Sequence, residues 1–348
     1  MRFRIGYAAP LTGPQAIVGI PMLRVVELAV EDARHDGLNL EISAVDDEAD
    51  EAVAAKVASQ LVADQSVIAV VGHKNSGPSK SGAPVYSAAG MPQLAQCATD
   101  NALSRAGWKT FFRLCADNEK QAAMAAEFAR SRLHARRVAA VHDLTDYGRP
   151  LVEAFAERMN ATPGTQVLIL SMSVGQTDLA EVVAAIRNAE ADVVYIGGTE
   201  VEGSKLTIAL RDGGISAQII TSEGGPHNPF PQLAGDAAEG TVHTYAGVDP
   251  SSTPAAQRLT QRCITEFGEA PSFMVECYDA VTIIASALSG GACTRHEVRD
   301  AIASTDVEGV AGRIRFDGHG DRIEAAVSLW QVERGRMMPV ATQATAKP

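Results

Sequence analysis

The 348-residue chain is poor in aromatic residues: two tryptophans, six tyrosines and nine phenylalanines, 5 % in all. Alanine, valine and leucine must therefore supply most of any core. Basic charge is also short, with 30 Lys and Arg against 42 Asp and Glu and a formal net charge of -12. Phosphate repels such a surface, so nucleic acid and anionic membrane are not expected partners. No apolar run is long enough to span a bilayer, and no direct membrane insertion is expected. The five cysteines (Cys97, Cys115, Cys263, Cys277, Cys293) form no C-x-x-C pair, which argues against zinc and thioredoxin-type sites. An odd count leaves at least one thiol free or pairing between chains, and most are expected to be buried as small hydrophobes.

Enzyme signatures are missing as well. No G-x-G-x-x-G follows the first strand-like run, and there is no G-x-x-x-x-G-K-[ST], G-x-S-x-G or H-E-x-x-H. The eight histidines are scattered. His73 and His142 stand at strand ends, where they are expected to be packed or solvated and not catalytic. The acidic turn Asp46-Asp47-Glu48 reads as a solvated loop and not as a metal site. No cofactor, no metal and no catalysis are expected, since no nucleophile–base pair or cofactor loop is visible. The opening Met1-Arg2-Phe3-Arg4-Ile5 enters a strand without a signal-peptide pattern, which fits either a cytoplasmic protein or one whose leader has been removed.

What the chain does contain is alternation. Strand-like runs at Ile5–Ala9, Leu40–Val45, Val67–Val71, Met91–Ala95 and Thr110–Leu114 are separated by helical stretches at Val18–Arg34, Glu51–Ala63 and Ser79–Ala89. A second series places strands at Arg137–His142, Gln166–Ser171, Asp192–Ile196 and Gln218–Thr221. Its helices are Lys120–Leu133, Gly148–Met159, Leu179–Ala189 and Lys205–Asp212. The tail reads as helices Ala255–Phe267, Ser272–Leu288 and Arg295–Ala303, then short strands Arg313–Phe316 and Ala325–Val332. The fold class expected is α/β: two doubly wound, three-layer lobes with mostly parallel sheets. No low-complexity linker separates them, so a multi-strand hinge is expected to join them.

Ligands of such sheets sit beyond the carboxyl ends of the strands. The run Gly72-His73-Lys74-Asn75-Ser76-Gly77-Pro78-Ser79 follows a buried strand and leads into a helix that Ser76 is expected to cap. Free N–H groups and the helix dipole there suit a carboxylate or phosphate. A second such turn, Cys97-Ala98-Thr99-Asp100, follows the next strand.

Read in order, several segments resemble the type I periplasmic binding proteins of ABC transporters, the leucine/isoleucine/valine-binding protein family. They are Ile5 to Pro14, Gly72 to Ser76, Ala98-Thr99, Phe112-Arg113 with Asp117 and Gln121, and His142-Asp143 with Tyr147-Gly148. Asp236 to Gly240, Tyr278 to Val281, and Gly312 to Asp317 with Gly320-Asp321 complete the set. The resemblance implies a Venus-flytrap fold, with lobe I at 1–117 plus 247–325 and lobe II at 118–246 plus 326–348. It implies an α-amino acid ligand, branched-chain, aliphatic or somewhat more polar, captured between the lobes by hinge closure. Ser76 and Thr99 match the residues that hold the ligand carboxylate, with main-chain help from Cys97 and Ala98. Glu223, followed by Gly224, falls where the α-ammonium is held, and Tyr147 matches the tyrosine that closes over the ligand. Thr199 and Val18 stand at positions that are often aromatic, and Lys74 and Asn75 replace apolar or cysteine residues beside the side-chain pocket. These departures point to a roomier or more polar pocket, in which Lys74 meets an acidic or polar ligand side chain or else reaches solvent. The expected partners are the amino acid and the membrane subunits of an ABC permease, for a periplasmic monomer. The alternative is a cytoplasmic amide or amino-acid sensor of the same fold acting on a regulatory partner.

Overall fold

The computed structural model describes residues 2–310 and 312–340. Met1, Ala311 and 341–348, which the expected lobe boundaries include, lie outside the described residues. The elements begin β1 (Phe3–Ala9), α1 (Ala16–His35), β2 (Leu40–Asp46), α2 (Glu51–Ala63), β3 (Val67–Gly72), α3 (Ser76–Ala88), β4 (Gln93–Ala95), α4 (Asn101–Arg105) and β5 (Phe111–Arg113). There follow α5 (Asn118–Ser131), β6 (Arg137–His142), α6 (Gly148–Asn160), β7 (Gln166–Ser171), α7 (Ala180–Asn188), β8 (Val193–Gly197), α8 (Glu200–Asp212), β9 (Gln218–Thr221), α9 (Phe230–Ala234) and β10 (Val242–Tyr245). The chain closes with α10 (Pro254–Phe267), α11 (Met274–Ser289), α12 (Arg295–Ala303), β11 (Val307–Gly309), β12 (Gly312–Ile314), β13 (Ser328–Glu333) and β14 (Arg336–Pro339). Two compact units result. One takes the chain up to Asp117 and again from Gly247 to Ala326; the other runs from Asn118 to Ala246 and resumes at Val327.

The first unit is built on a parallel sheet in the order β2-β1-β3-β4-β5. All six residues of β3 are buried, as expected of a central parallel strand covered on both faces. α2 is capped by Asp50, whose carboxylate accepts the Ala52 and Val53 N–H groups. Ala58 and Leu61 of α2 and Tyr86 of α3 pack with Ala8, Val67, Val70 and Met91 into one core. The strand ends at Gly72 (φ 136°), where a Cβ would stand 2.2 Å from the Ala8 carbonyl oxygen, so only glycine fits. α1, α11 and α12 also belong to this unit, with α1 packed on α11 and α12 against β3.

The second unit holds a mixed sheet in the order β14-β13-β10-β9-β8-β6-β7, parallel from β7 through β10 and antiparallel at β13 and β14. Strand alternation builds its three layers. Val138 and Ala140 of β6 join Leu151, Val152 and Phe155 of α6 in one core, while Ala139 and Val141 turn to the other face against Val183 and Ile186 of α7 and Leu206 and Leu210 of α8. Here the sequence-based expectation of a mostly parallel sheet is incomplete. β10, β11 and β14 were not anticipated, and β13 begins at Ser328 instead of Ala325. β10 reads Val-His-Thr-Tyr, with two polar residues among four, and its burial comes from its place inside the sheet.

Candidate functional site

In the first unit, the ends of β3 and β4 meet. Ser76 is the first residue of α3 and 2 % exposed; Asn75, not Ser76, is the N-cap, and Asn75 makes no side-chain capping bond. Freed from that expected duty, the Ser76 hydroxyl accepts the Asp100 N–H at 3.3 Å. The Cys97 thiol donates to the Lys74 carbonyl at 3.2 Å, so segment 97–100 lies along segment 74–76. Cys97, Ala98 and Thr99 are all buried, and the Thr99 hydroxyl has no hydrogen-bond partner. Arg113, buried at the end of β5, fixes this loop by donating to the Asp100 carbonyl (2.8 Å), the Ser104 hydroxyl (3.0 Å) and Asp321 (2.9 Å).

His73 is a brace. It is fully buried, with Nδ1 2.7 Å from Asp47 Oδ2 and Nε2 3.0 Å from the Tyr86 hydroxyl, while Ser79 donates to its carbonyl at 3.0 Å. This corrects the reading of Asp46-Asp47-Glu48 as solvated throughout: Asp47 is 0 % exposed because it is committed to His73. Burial, then the Asp47 charge, raise the Tyr86 phenol above its ordinary range, so it stays neutral. Lys74 is 4 % exposed, so its stem does not carry the ammonium into solvent. Its Nζ donates to Gln15 Oε1 (3.3 Å), which also accepts from Asn75 Nδ2 (2.8 Å). Asn75 Oδ1 is buried without a partner. Val18, 6 % exposed, lies in the first turn of α1, just after Gln15.

In the second unit, the ends of β6, β8 and β9 supply the functional side chains. Asp143, after β6, accepts from the Thr145 N–H (3.1 Å) and hydroxyl (2.5 Å) and from the Thr199 N–H (3.3 Å). Burial raises its pKa in spite of those bonds. Thr199, after β8, donates its hydroxyl to Glu202 at 2.7 Å. Ser222, after β9, ties the two strand ends by donating to the Gly198 carbonyl (2.9 Å) and accepting the Gly198 N–H (3.1 Å). Glu223 comes next, 8 % exposed and in the left-handed region (φ 57°). Gly224 then donates to the Thr244 carbonyl at 2.8 Å; a Cβ there would lie 2.4 Å from His243 Cβ, so this close approach requires glycine.

Two buried phenols feel the charge of Glu223. Tyr147 is part of the core of this unit, and its hydroxyl donates to Gln121 Oε1 at 3.5 Å. Burial and then the Glu223 charge hold that phenol well above its ordinary range. Tyr195 is 0 % exposed, stacked on Phe155 with ring centroids 4.0 Å apart; burial and the Glu223 charge raise its pKa too. Its hydroxyl has no hydrogen-bond partner. Neutral phenols beside a carboxylate offer O–H donors without competing charge.

Each unit thus gathers part of the expected set. Ser76, Cys97, Ala98 and Thr99 come together, with Lys74 and Asn75 in the same turn and Val18 beside Gln15. Tyr147, Glu223 and Gly224 come together, with Thr199 at the neighbouring strand end. Sequence reasoning missed Gln96, Tyr195 and Ser222. For Gln96 and Ser222 the available signal was position, because each lies just beyond the carboxyl end of a buried strand, whereas Tyr195 sits in the middle of β8 and carried no such signal. Among the described residues, no group of three His, Cys, Asp or Glu side chains could hold a metal ion, and no helix is long and apolar enough to cross a membrane. Four of the five cysteines are buried and Cys293 is exposed.

Comparison with known proteins places this architecture in a family. The family described as periplasmic binding protein matches residues 2–336. The chain belongs to it, within the type I solute-binding proteins of the leucine/isoleucine/valine-binding group. Its members are non-enzymatic solute-binding proteins that work with small-molecule ligands and ABC permeases, typically outside the cytoplasm. A Leu/Ile/Val-binding protein homolog 2 from Brucella abortus is 32 % identical over 338 residues, 95 % of this chain and 90 % of that protein. A branched-chain amino acid transporter substrate-binding protein from Streptococcus pneumoniae, solved with isoleucine, superposes with a TM-score of 0.89 at 24 % identity, covering 97 % of this chain and 98 % of that one. A solute-binding protein from R. palustris, solved with benzoate, gives a TM-score of 0.86 at 17 % identity over 98 % and 96 % of the two chains. At those identities the two structures speak for the fold alone.

Proposed function

We propose that this chain is the extracytoplasmic, periplasmic solute-binding protein of an ABC importer and that its ligand is an α-amino acid. Ser76, Thr99 and the N–H groups around Cys97, Ala98 and α3 take the ligand carboxylate. Glu223, with Tyr147 and Tyr195 beside it, takes the ammonium. Thr199 and Gly224 flank that acid, and Val18, Lys74 and Asn75 border the ligand side chain. One ligand engaging both units favours their closed arrangement, and the permease membrane subunits recognise that state.

The observation that carries the proposal is Glu223, a nearly buried carboxylate in a left-handed turn whose charge acts on the buried Tyr147 and Tyr195 phenols. A carboxylate at this strand end suits a ligand ammonium, and a zwitterion brings one while its other end meets hydroxyls and amides. The name of the Brucella relative supports the same ligand class.

Isothermal titration with the common amino acids, and with carboxylic acids lacking the amine such as benzoate, tests this. Glu223→Ala is expected to fold and to lose at least about a hundredfold in affinity, because removing one member of a buried charge pair costs roughly 3–5 kcal/mol. Unchanged affinity in the variant, or equal binding of acids without the amine, would overturn the assignment.

A further inference from the structure

Gln96 is 0 % exposed, and neither its amide nitrogen nor its amide oxygen has a hydrogen-bond partner. Each such buried group costs about 1–3 kcal/mol unless something satisfies it. The residue directly follows β4 at the carboxyl end of a parallel sheet, where α/β proteins bind ligands. It is also adjacent to Cys97, which contacts the Lys74 carbonyl, so its segment abuts the turn that carries Asn75. Asn75 Oδ1 and Thr99 Oγ1 are unpaired on the same two segments.

We propose that Gln96, with Asn75 on the abutting turn, sets ligand specificity and selects an α-amino acid whose side chain ends in a carboxamide. The inference rests on the amino-acid assignment above and refines it. Thr99 is committed there to the ligand carboxylate. Gln96 and Asn75 then leave two acceptors, Gln96 Oε1 and Asn75 Oδ1, and one donor group, Gln96 Nε2. A primary carboxamide supplies two N–H donors and one carbonyl acceptor and meets all three. A carboxylate brings only acceptors, and an aliphatic side chain satisfies none. A site built to hydrogen-bond its ligand also rejects the apolar analogue, because that analogue strands its polar groups.

The test is calorimetry on the full chain with L-glutamine, L-asparagine, L-leucine and L-glutamate, repeated on Gln96→Leu and Gln96→Met. The unaltered protein is expected to bind glutamine or asparagine at least tenfold tighter than leucine. Both variants should fold, with a melting temperature unchanged or raised, and should lose at least tenfold for the carboxamide while holding or gaining affinity for leucine. Leucine binding tighter than either carboxamide in the unaltered protein overturns the inference and leaves the amino-acid assignment standing. So does a variant that stabilises the protein while affecting every ligand equally, the result expected if an enclosed water satisfies Gln96. Binding of no amino acid at all overturns both.

Discussion

Glu276 shows how burial alone rewrites a side chain. It lies on α11, 1 % exposed, with Oε1 accepting the Val248 N–H at 2.6 Å and Oε2 unpartnered. Burial pushes its pKa up to about 7; the Val248 N–H and the Arg322 charge pull it down, and the Asp279 charge adds to the rise. A carboxyl whose folded pKa exceeds its unfolded value contributes stability that is complete below about 4.5 and is lost as pH rises through about 7. His243 acts in the opposite sense. Burial lowers its pKa to about 3, so its contribution is present above 6.5 and is lost as pH falls toward the folded value. Comparison of Glu276→Gln with the unaltered chain cancels the histidine effect. The variant is expected to gain on the order of 3 kcal/mol relative to the unaltered chain between about pH 5 and pH 8, measured by urea unfolding. A constant difference across that range would place the Glu276 titration elsewhere.

At the scale of elements, the β3–α3 turn depends on the chain Asp47–His73–Tyr86. Removing Asp47 leaves a buried imidazole nitrogen unpaired, so Asp47→Ala is expected to cost about 3 kcal/mol, whereas Tyr86→Phe loses one neutral hydrogen bond and about 1 kcal/mol. Denaturant midpoints should fall in that order, and equal losses would mean that the brace is not the source. Much at this scale was legible in the sequence. The apolar run at β3 and the Cys97–Asp100 turn stand where the pattern puts them, because a parallel strand buried on both faces leaves an unbroken apolar stretch, whereas the helix after β3 begins at Ser76, three residues before the expected Ser79. The brace was not legible. Asp47 and His73 are 26 positions apart, and each reads as an ordinary polar residue at a strand end. The cap was also misplaced by one residue: serine and asparagine are both good caps, and backbone torsion decides between them.

For the whole molecule, the chain passes from one unit to the other three times, after Asp117, Ala246 and Ala326. Each unit has its own core, so their stabilities are separable in principle. A ligand engaging both would link them. At a hundred times its dissociation constant it adds about 2.7 kcal/mol. Hydrogen exchange is expected to slow on ligand addition both at 74–76 and 97–100 and at 222–225. Protection confined to one unit would show that the ligand is held by that unit alone. The Glu223→Ala chain should show no such slowing at the same ligand concentration.

Periodicity and composition by themselves determined the α/β layering, the two series of strands and helices, and the strand ends that carry Ser76, Thr99, Tyr147 and Glu223. Those properties follow from which residues are apolar and how they are spaced, and spacing is written in the chain. Tertiary structure alone decided that β10 lies inside a mixed sheet, that His73 is a brace, and that Gln96 and Tyr195 are enclosed with unpaired polar atoms. Burial and hydrogen-bond satisfaction belong to neighbours brought together from distant positions, and no local pattern encodes them.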